Sequence, residues 1–422
     1  MKAWFVLIAA AGTLLAGDKI GRAPELPESL PWDLRLLSDP PEFRWIEEKK
    51  AIRSLIYLGE NHLGEPSEVF AFYATPATIG GNDAGERDYP AVVLIHGGGG
   101  TAFAEWVWLW ASRGYAAIAM DLGGMRPADP VIDTEIGEFL EDRGFDRNQR
   151  RRLSGGGPEQ GHPQKFDSIG GETDDDWPFH AVGAVIRAHS LVRSFREVDP
   201  NRTAVTGISW GGYTTCLVAS IDDRFKAAVP VYGCGFLYEG ESVQKPAIDN
   251  LELRDEWIRL YDPSSYLGAC RVPIFWVNGC NDKHYPLDSY MRSADQVKGL
   301  KNFRLEVGMR HGHRPGWEPQ EIGLFIDSQC RNGTPLAVIS EAELAKGRTG
   351  AAVESITDLK EAKLHFTTDD GPLVKREWAS LPAILEGGKI IGPALPEGTR
   401  IWLLSVTDAR GALTTSGAVF VE

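Results

Sequence analysis

The sequence contains little cysteine and less positive than negative charge. Its 422 residues include five cysteines, with no C-x-x-C pair and no His/Cys cluster, so neither a zinc site nor another metal or cofactor is expected. Because five is odd, at least one thiol per chain stays unpaired unless a bond crosses between chains. Lys and Arg number 44 against 59 Asp and Glu, a formal net charge of −15. This excess disfavours nucleic acid and anionic membrane surfaces as partners and favours a neutral substrate.

Long apolar runs are also missing, except at the N-terminus. There Lys2 precedes the apolar run Ala3–Ala16, and the small residues Ala16–Gly17 follow. This run is short for a membrane span and is typical of a secretory signal peptide, predicted over residues 1–17. A buried N-terminal helix is the alternative. The signal peptide predicts a secreted or periplasmic protein with no membrane association after cleavage.

Strand-like and helix-like segments alternate through the middle of the chain. The apolar runs YPAVVLI, AAIAM, TAVTGIS, VPIFWVNG and FRLEVGM each end in glycine or a short loop, and amphipathic segments such as FHAVGAVIRAHSLVRSF lie between them. Strands buried on both faces, with helices between them, predict an α/β fold with a mostly parallel sheet. We assign this catalytic domain to residues 30–335.

Two regions depart from that alternation. Residues 125–176 are polar and glycine-rich, with the basic cluster Arg150–Arg152 and the acidic cluster Asp174–Asp176. We interpret them as an excursion from the sheet that forms a lid over a pocket or else a solvated loop. Residues 345–422 contain short strands cut by Gly, Pro and Asp, a pattern that predicts a small β-sandwich without catalytic residues.

The stretch VTGISWGGY, residues 205–213, places Ser209 in a G-x-S-x-G pattern between a strand and a helix. Such a sharp turn presents the serine hydroxyl at the end of the sheet, where it is an accessible nucleophile. A structural glycine-rich turn is the alternative. A serine hydroxyl needs a base, and the base needs an acid that orients it. In chains with this turn, the acid and then the histidine follow the serine.

The acid and the base are sought after the later strands. Asp282 follows the strand VPIFWVNG and is predicted as the acid, with Asp288 and Glu239 as fallback carboxylates. The loop MRHGHRPGW follows the last strand and contains two histidines. His311 comes first and precedes a glycine, so it is favoured over His313 as the base.

Acyl transfer also requires backbone donors for the developing oxyanion. The glycine loop His96–Gly100 directly follows a strand. We predict that the N–H groups of Gly98, Gly99 and Trp210 form the oxyanion hole. A phosphate cradle is the rival interpretation, but neither G-K-[ST] nor G-x-G-x-x-G is present to support it.

The motifs HGGGG, DLGG, DWPFHAVGAVIRAHSLV, GISWGGY, VYGCG, NGCND and MRHGHRPGW resemble those of secreted bacterial α/β-hydrolases described as acetylxylan-esterase-like or dienelactone-hydrolase-like, which are related to the catalytic domain of prolyl oligopeptidases. The resemblance covers residues 45–335. It implies the α/β-hydrolase fold, often followed by a β-sandwich, with Ser209 as nucleophile, Asp282 as acid and His311 as base. Cys280 stands where a small polar residue such as Thr is expected.

The sequence therefore predicts a secreted serine carboxylic-ester hydrolase that deacetylates carbohydrate esters, acting on small-molecule or polysaccharide esters. Trp177 and Trp317 are predicted to contact substrate, because indole rings stack on sugar faces; core packing is the alternative for both. Two other functions stay open. One is a serine peptidase of the oligopeptidase type, although residues 1–90 are too few for a large gating domain; the other is an inactive hydrolase-fold binding protein.

Overall fold

The computed structural model describes residues 26–27, 29–81, 88–127 and 150–421. The predicted signal peptide and the middle of the 125–176 excursion lie outside the described residues. Within these ranges, no helix combines the length and apolar character needed to cross a bilayer. All five cysteines fall inside them, and each is a buried free thiol.

A large twisted sheet forms the centre of the molecule. The strands up to residue 306 are β1 (Phe43–Glu47), β2 (Arg53–His62), β3 (Glu65–Ala74), β4 (Tyr89–Ile95), β5 (Ala116–Met120), β6 (Met125–Pro127), β7 (Arg150–Arg152), β8 (Val198–Ile208), β9 (Ala227–Val231), β10 (Ile274–Gly279) and β11 (Lys301–Glu306). The sheet runs in the order β1-β2-β3-β5-β4-β8-β9-β10-β11, while β6 and β7 form a separate two-stranded ribbon.

Strands β5, β4, β8, β9, β10 and β11 are mutually parallel, whereas β1, β2 and β3 join them through antiparallel pairs. Every residue of β4, β5, β9 and β10 is buried, as expected when helices cover a parallel sheet. The predicted α/β fold with a mostly parallel sheet is therefore confirmed.

Helices fill the connections between these strands. They are α1 (Leu34–Leu37), α2 (Pro76–Ile79), α3 (Ala104–Ser112), α4 (Trp177–Ser194), α5 (Trp210–Ile221), α6 (Lys245–Asp249), α7 (Arg254–Tyr261), α8 (Leu287–Gln296), α9 (His313–Trp317) and α10 (Gln320–Cys330). Helix α3 packs on β3 and β5, α4 on β2 and β8, and α5 on β8 and β9. The sheet and these helices share one apolar core.

The C-terminal segment is an antiparallel β structure. Its strands are β12 (Val338–Ile339), β13 (Glu343–Ala345), β14 (Arg348–Glu354), β15 (Leu359–Thr367), β16 (Ala379–Glu386), β17 (Lys389–Ile391), β18 (Ile401–Asp408), β19 (Leu413–Thr415) and β20 (Val419–Phe420). They enclose a small apolar cluster of their own that includes Leu364, Trp402 and Leu404.

This β segment also touches the α/β part of the molecule directly. Strand β19 pairs with the last strand of the central sheet, β11, through Phe303 and Thr415, and Ile401, Leu403 and Leu373 belong to the main core. The C-terminal segment thus shares a strand pair and an apolar core with the α/β part of the molecule. Its description as a separate β-sandwich domain beginning at residue 345 stays a prediction.

We predict that Leu364→Ala destabilises the C-terminal segment. Leu364 is fully buried in its small cluster, so truncation leaves a cavity and costs about 2–5 kcal/mol of unfolding free energy. Leu344 is 55% exposed, and Leu344→Ala serves as the control, with a change within about 0.5 kcal/mol. Urea titrations followed by circular dichroism measure both variants. Equal stabilities would contradict the separate cluster.

Candidate active site

Ser209 lies at the turn between β8 and α5. Its backbone has φ 59° and ψ −118°, a conformation that non-glycine residues rarely adopt. The turn is held by hydrogen bonds from the Ser209 N–H to Val231 O (2.8 Å) and from the Tyr213 N–H to Ser209 O (2.9 Å). This strained strand-to-helix turn presents the hydroxyl at the carboxyl end of the sheet, as the G-x-S-x-G pattern predicts.

The turn requires glycine because the chain passes another strand closely. A Cβ on Gly211 would lie 2.1 Å from the carbonyl oxygen of Ile95, the last residue of β4. No side chain fits at that distance, so α5 begins against the end of β4 and its glycine loop. The pattern residue Gly211 thus sets the distance between the nucleophile turn and the loop predicted to bind the oxyanion.

His311 and Asp282 complete a chain of hydrogen bonds with Ser209. The His311 Nε2 lies 3.0 Å from Ser209 Oγ, and its Nδ1 lies 2.6 Å from Asp282 Oδ2. Asp282 is buried, and its Oδ1 accepts the N–H groups of His284 (2.8 Å) and Tyr285 (2.9 Å). The two backbone N–H groups therefore fix the Asp282 carboxylate independently of its contact with the imidazole. The three side chains together have the geometry of a serine nucleophile with its base and orienting acid.

The alternative residues are engaged elsewhere. Asp288 accepts the N–H of Ser289 at the start of α8 (2.8 Å), and Glu239 forms an ion pair with Arg292. His313 lies near the site, but its Nε2 accepts the Gly97 N–H at 3.0 Å. Of the two histidines in the loop, His311 is the one hydrogen-bonded to Ser209.

The glycine loop is held on several sides. Leu122 N–H donates to His96 Nε2 (2.9 Å), so the proton of the His96 ring lies on Nδ1, which donates to Gly97 O (2.8 Å). Burial lowers the pKa of His96 to about 3, so this ring stays neutral. The Thr101 hydroxyl donates to Asp121 Oδ2 (2.8 Å). These bonds fix both ends of the loop.

The predicted oxyanion donors are placed differently around Ser209. Gly97 lies against the Ser209 side chain, whereas Gly98 lies against the Trp210 indole. Trp210 is the first residue of α5, so its N–H is among the donors at a helix start that have no intrahelical partner. The assignment of Gly98, Gly99 and Trp210 to the oxyanion hole stays a prediction.

The described end of the excursion, residues 150–176, covers the Trp210 side of the site. Phe166 packs near the Trp210 ring, with ring centroids 6.0 Å apart. The Lys165 ammonium lies 4.9 Å from the ring centroid of Trp177 and 5.2 Å from that of Trp210, and it donates to the carbonyl oxygens of residues 160 and 161. Both Lys165 and Phe166 are buried. At these two residues the excursion packs against its neighbours, whereas Arg151 and others in the same range are exposed, so a lid and a solvated loop both stay open.

The two tryptophans predicted to contact substrate differ. Trp177 is completely buried and donates its indole N–H to Leu122 O (2.7 Å), which contradicts its predicted contact with substrate. Its position at the start of α4 turns the ring into the core. Trp317 is only partly buried and lines a pocket of about 250 Å³ together with Trp106 and Trp110, so its predicted role stays open.

Sequence reasoning missed three contacts at the site: those made by His313, Lys165 and Arg150. The Arg150 guanidinium donates to Gly100 O (2.5 Å) and to Gly99 O (3.5 Å). The basic cluster Arg150–Arg152 was a signal for such a contact, but no local pattern shows which carbonyl groups it reaches. Among the described residues, no group of three or more His, Cys, Asp or Glu side chains is arranged to hold a metal ion.

The strand order and the Ser209 turn are those of the α/β-hydrolase fold. The family model described as acetyl xylan esterase matches residues 68–242. An acetyl xylan esterase from Paenibacillus sp. R4 superposes with a TM-score of 0.51 at 19% identity, covering 70% of this chain and 92% of that one. The predicted resemblance to acetylxylan-esterase-like α/β-hydrolases is confirmed.

Two further comparisons give a second acetyl xylan esterase and a protein described as a peptidase. An acetyl xylan esterase from Thermoanaerobacterium sp. JW/SL YS485 has a TM-score of 0.47 at 16% identity, covering 72% of this chain and 96% of that one. A Bacillus subtilis (strain 168) protein described as the uncharacterized peptidase YuxL is 25% identical over 266 residues, which are 56% of this chain. The match spans only 33% of that curated relative.

We predict that Ser209 is the residue labelled by a fluorophosphonate probe. Ser209→Ala abolishes labelling, and His311→Ala slows it on the order of 10³-fold, because the hydroxyl loses its base. His313→Ala is the matched control: it removes one hydrogen bond to Gly97, worth about 1 kcal/mol, and slows labelling no more than about tenfold. Intact-mass spectrometry measures the rates. If His313→Ala is the slower variant, the two histidines exchange roles.

We also predict a pH dependence of stability from Lys165, whose pKa burial lowers from 10.5 to about 7. Between about pH 7 and pH 10.5, Lys165 is protonated in the unfolded chain but has lost its proton in the folded one. The free energy of unfolding therefore increases with pH over this range. The unfolding free energy of wild type minus that of Lys165→Met should rise above pH 7 by up to about 1.4 kcal/mol per pH unit.

The exposed Lys226 supplies the control for this measurement. Lys226→Met, which replaces an exposed side chain, should change the unfolding free energy by no more than about 0.5 kcal/mol across the pH series. Urea unfolding at a series of pH values gives both curves. A flat difference for Lys165→Met as well would contradict the lowered pKa.

Proposed function

We propose that the protein is a secreted serine carboxylic-ester hydrolase that removes acetyl groups from carbohydrate esters. The observation that carries this proposal is the chain of hydrogen bonds Ser209–His311–Asp282. The match of residues 68–242 to the acetyl xylan esterase family model supports the ester class, and the N-terminal apolar run supports secretion.

In the first half of the reaction, Ser209 Oγ attacks the ester carbonyl carbon while His311 Nε2 takes the hydroxyl proton. Asp282 accepts the Nδ1–H of His311 and stabilises the imidazolium that forms. The carbonyl oxygen becomes an oxyanion, for which the N–H groups of the glycine loop and Trp210 are the proposed donors. Collapse of the tetrahedral intermediate releases the alcohol, which takes the proton from His311, and leaves an acyl-enzyme on Ser209.

In the second half, a water molecule replaces the alcohol. His311 takes a proton from this water as it attacks the acyl carbon, and it returns the proton to Ser209 Oγ when the ester bond breaks. The carboxylic acid leaves and the free serine is restored. The buried, doubly hydrogen-bonded Asp282 keeps His311 in the same orientation through both halves.

The packing of Trp210 supports a short acyl group. Trp210 directly follows Ser209 in the chain, its ring lies against Gly98, and Trp177, Phe166 and Lys165 pack around that ring. A ring held on so many sides does not move easily to admit a longer chain. Each methylene that fails to fit costs about 1–3 kcal/mol of discrimination, so acetyl esters fit this site better than longer acyl esters.

Two observations bear on the alcohol part of the substrate. Trp317, in the pocket beside α9, is a partly buried indole of the kind that packs against sugar faces, whereas Trp106 and Trp110 in the same lining are buried. The net charge of −15 disfavours anionic polymers. Both favour a neutral acetylated polysaccharide or a small neutral ester.

A serine peptidase is the second candidate, favoured by the similarity to the Bacillus subtilis protein described as a peptidase. The same triad chemistry cleaves amides, so the nucleophile and base do not separate the two activities. Their difference must come from the leaving group that the site accepts.

The proposed function predicts a ranking of substrates. The full-length protein should hydrolyse an acetyl ester at least about tenfold faster, in kcat/KM, than the octanoyl ester of the same alcohol, because the longer chain is excluded beside Trp210. It should also release acetate from acetylated xylan and leave a peptide amide intact. Ser209→Ala is the control for contaminating esterases. Faster cleavage of the peptide amide, or of the octanoyl ester, would contradict the proposal.

A further inference from the structure

We propose that Arg150 positions the glycine loop for oxyanion binding by holding the carbonyl oxygens of Gly99 and Gly100. The inference rests on the proposed function, since it concerns the same ester-cleaving site. It assigns part of the catalytic apparatus to the excursion outside the sheet. Arg150 acts through the loop and is a positioning residue, not a catalytic one.

The two terminal nitrogens of the Arg150 guanidinium each face one of two successive carbonyl oxygens of the glycine loop. Nη1 of Arg150 donates to Gly100 O at 2.5 Å, and Nη2 lies 3.5 Å from Gly99 O. A planar guanidinium presents parallel donors at fixed spacing, which a lysine ammonium cannot do. Because Arg150 is half-buried, these hydrogen bonds are shielded from competing water.

Pinning these oxygens fixes the direction of the loop's N–H groups. The carbonyl of Gly99 and the N–H of Gly100 belong to one planar peptide group, and that N–H donates to Gly97 O at 3.0 Å. The bond closes a four-residue turn in which Gly99 has φ 67°, as a type II turn requires at its third position. Gly98 and Gly99, whose N–H groups are two of the predicted oxyanion donors, are the two central residues of this turn.

Arg150 is itself held by the fold. It lies in β7, which pairs with β6, and the pair aligns Arg150 with Pro127. Two residues further on, Arg152 donates to Gly123 O at 2.9 Å. The Gly123 N–H, in the loop after β5, donates a hydrogen bond to the Asp121 carboxylate. The same carboxylate accepts the hydroxyl of Thr101, the residue directly after the glycine loop. The glycine loop is thus clamped between Asp121 on one side and Arg150 on the other.

The charge of Arg150 adds to the effect of its position. The guanidinium disfavours protonation of His96, which together with burial keeps that ring neutral in its hydrogen bonds to the loop. The guanidinium also places a positive charge beside the turn that contains the Gly98 and Gly99 N–H groups. This charge acts most strongly in the transition state, in which negative charge forms on the substrate oxygen.

The test compares Arg150→Met with Arg151→Met. Arg151 is the exposed neighbour of Arg150 in the same strand, so its variant should keep kcat for an acetyl ester within about twofold. Removing a whole oxyanion donor costs about 10²–10³-fold in kcat. A misplaced loop should cost less, so Arg150→Met should lower kcat about 10–100-fold while KM changes less than about threefold.

A second readout separates positioning from a merely structural role. A trifluoromethyl ketone forms a tetrahedral adduct with the serine and needs the oxyanion donors, whereas ground-state ester binding does not. Its Ki should rise in proportion to the loss of kcat/KM in Arg150→Met, with the unfolding midpoint retained. Arg150→Lys keeps the charge without the parallel donors and should fall between wild type and Arg150→Met.

The possible outcomes are distinct. An active wild type with Arg150→Met unchanged in kcat and Ki overturns the inference and leaves the proposed function intact. A wild type that cleaves no ester overturns the proposed function first. If Arg150→Met does not fold, Arg150→Lys decides: full activity overturns the inference, and a reduced kcat with unchanged KM and a raised Ki supports it.

Discussion

The direction of the parallel strands is the constraint on which the site depends. Strands β8, β10 and β11 are parallel members of one sheet, so their carboxyl ends meet at one edge. Ser209, Asp282 and His311 each follow one of these ends. Residues separated by 102 positions in the chain, such as Ser209 and His311, therefore lie within hydrogen-bond distance. Loops that follow parallel strands are where such folds collect their functional groups.

Strain at the nucleophile is maintained by the packing around it. A serine at φ 59° is disfavoured by about 1–3 kcal/mol, and the turn keeps that conformation because its neighbours leave no alternative. The Ser209 N–H is bonded to β9, α5 begins directly after it, and Gly211 lies against the end of β4. These contacts maintain the strained conformation, and that conformation places the Ser209 hydroxyl beyond the end of the sheet.

The sequence predicts the elements with strong local patterns. Buried strands such as β4 and β10 are uninterrupted apolar runs, and the turn at Ser209 has its own glycine pattern, so the fold class and the candidate nucleophile can be predicted from short stretches. The order of acid and base along the chain leads to Asp282 and His311. What the sequence does not predict are contacts between distant side chains, such as His313 with Gly97 or Arg150 with Gly100. Trp177 is a related case: a tryptophan before a helix looks the same whether its ring faces substrate or core.

Net charge illustrates why a global property does not predict a local one. The chain has a formal charge of −15, yet two basic side chains from the excursion, Arg150 and Lys165, approach the Ser209 turn and its glycine loop. Their hydrogen bonds end on backbone carbonyl oxygens, and Lys165 also faces two indole rings. Cations directed at carbonyl groups orient peptide dipoles, and a dipole that is already oriented needs no reorganisation when negative charge develops. In the role that we propose for Arg150, this arrangement would assist a transient oxyanion, while the net negative charge favours a neutral substrate.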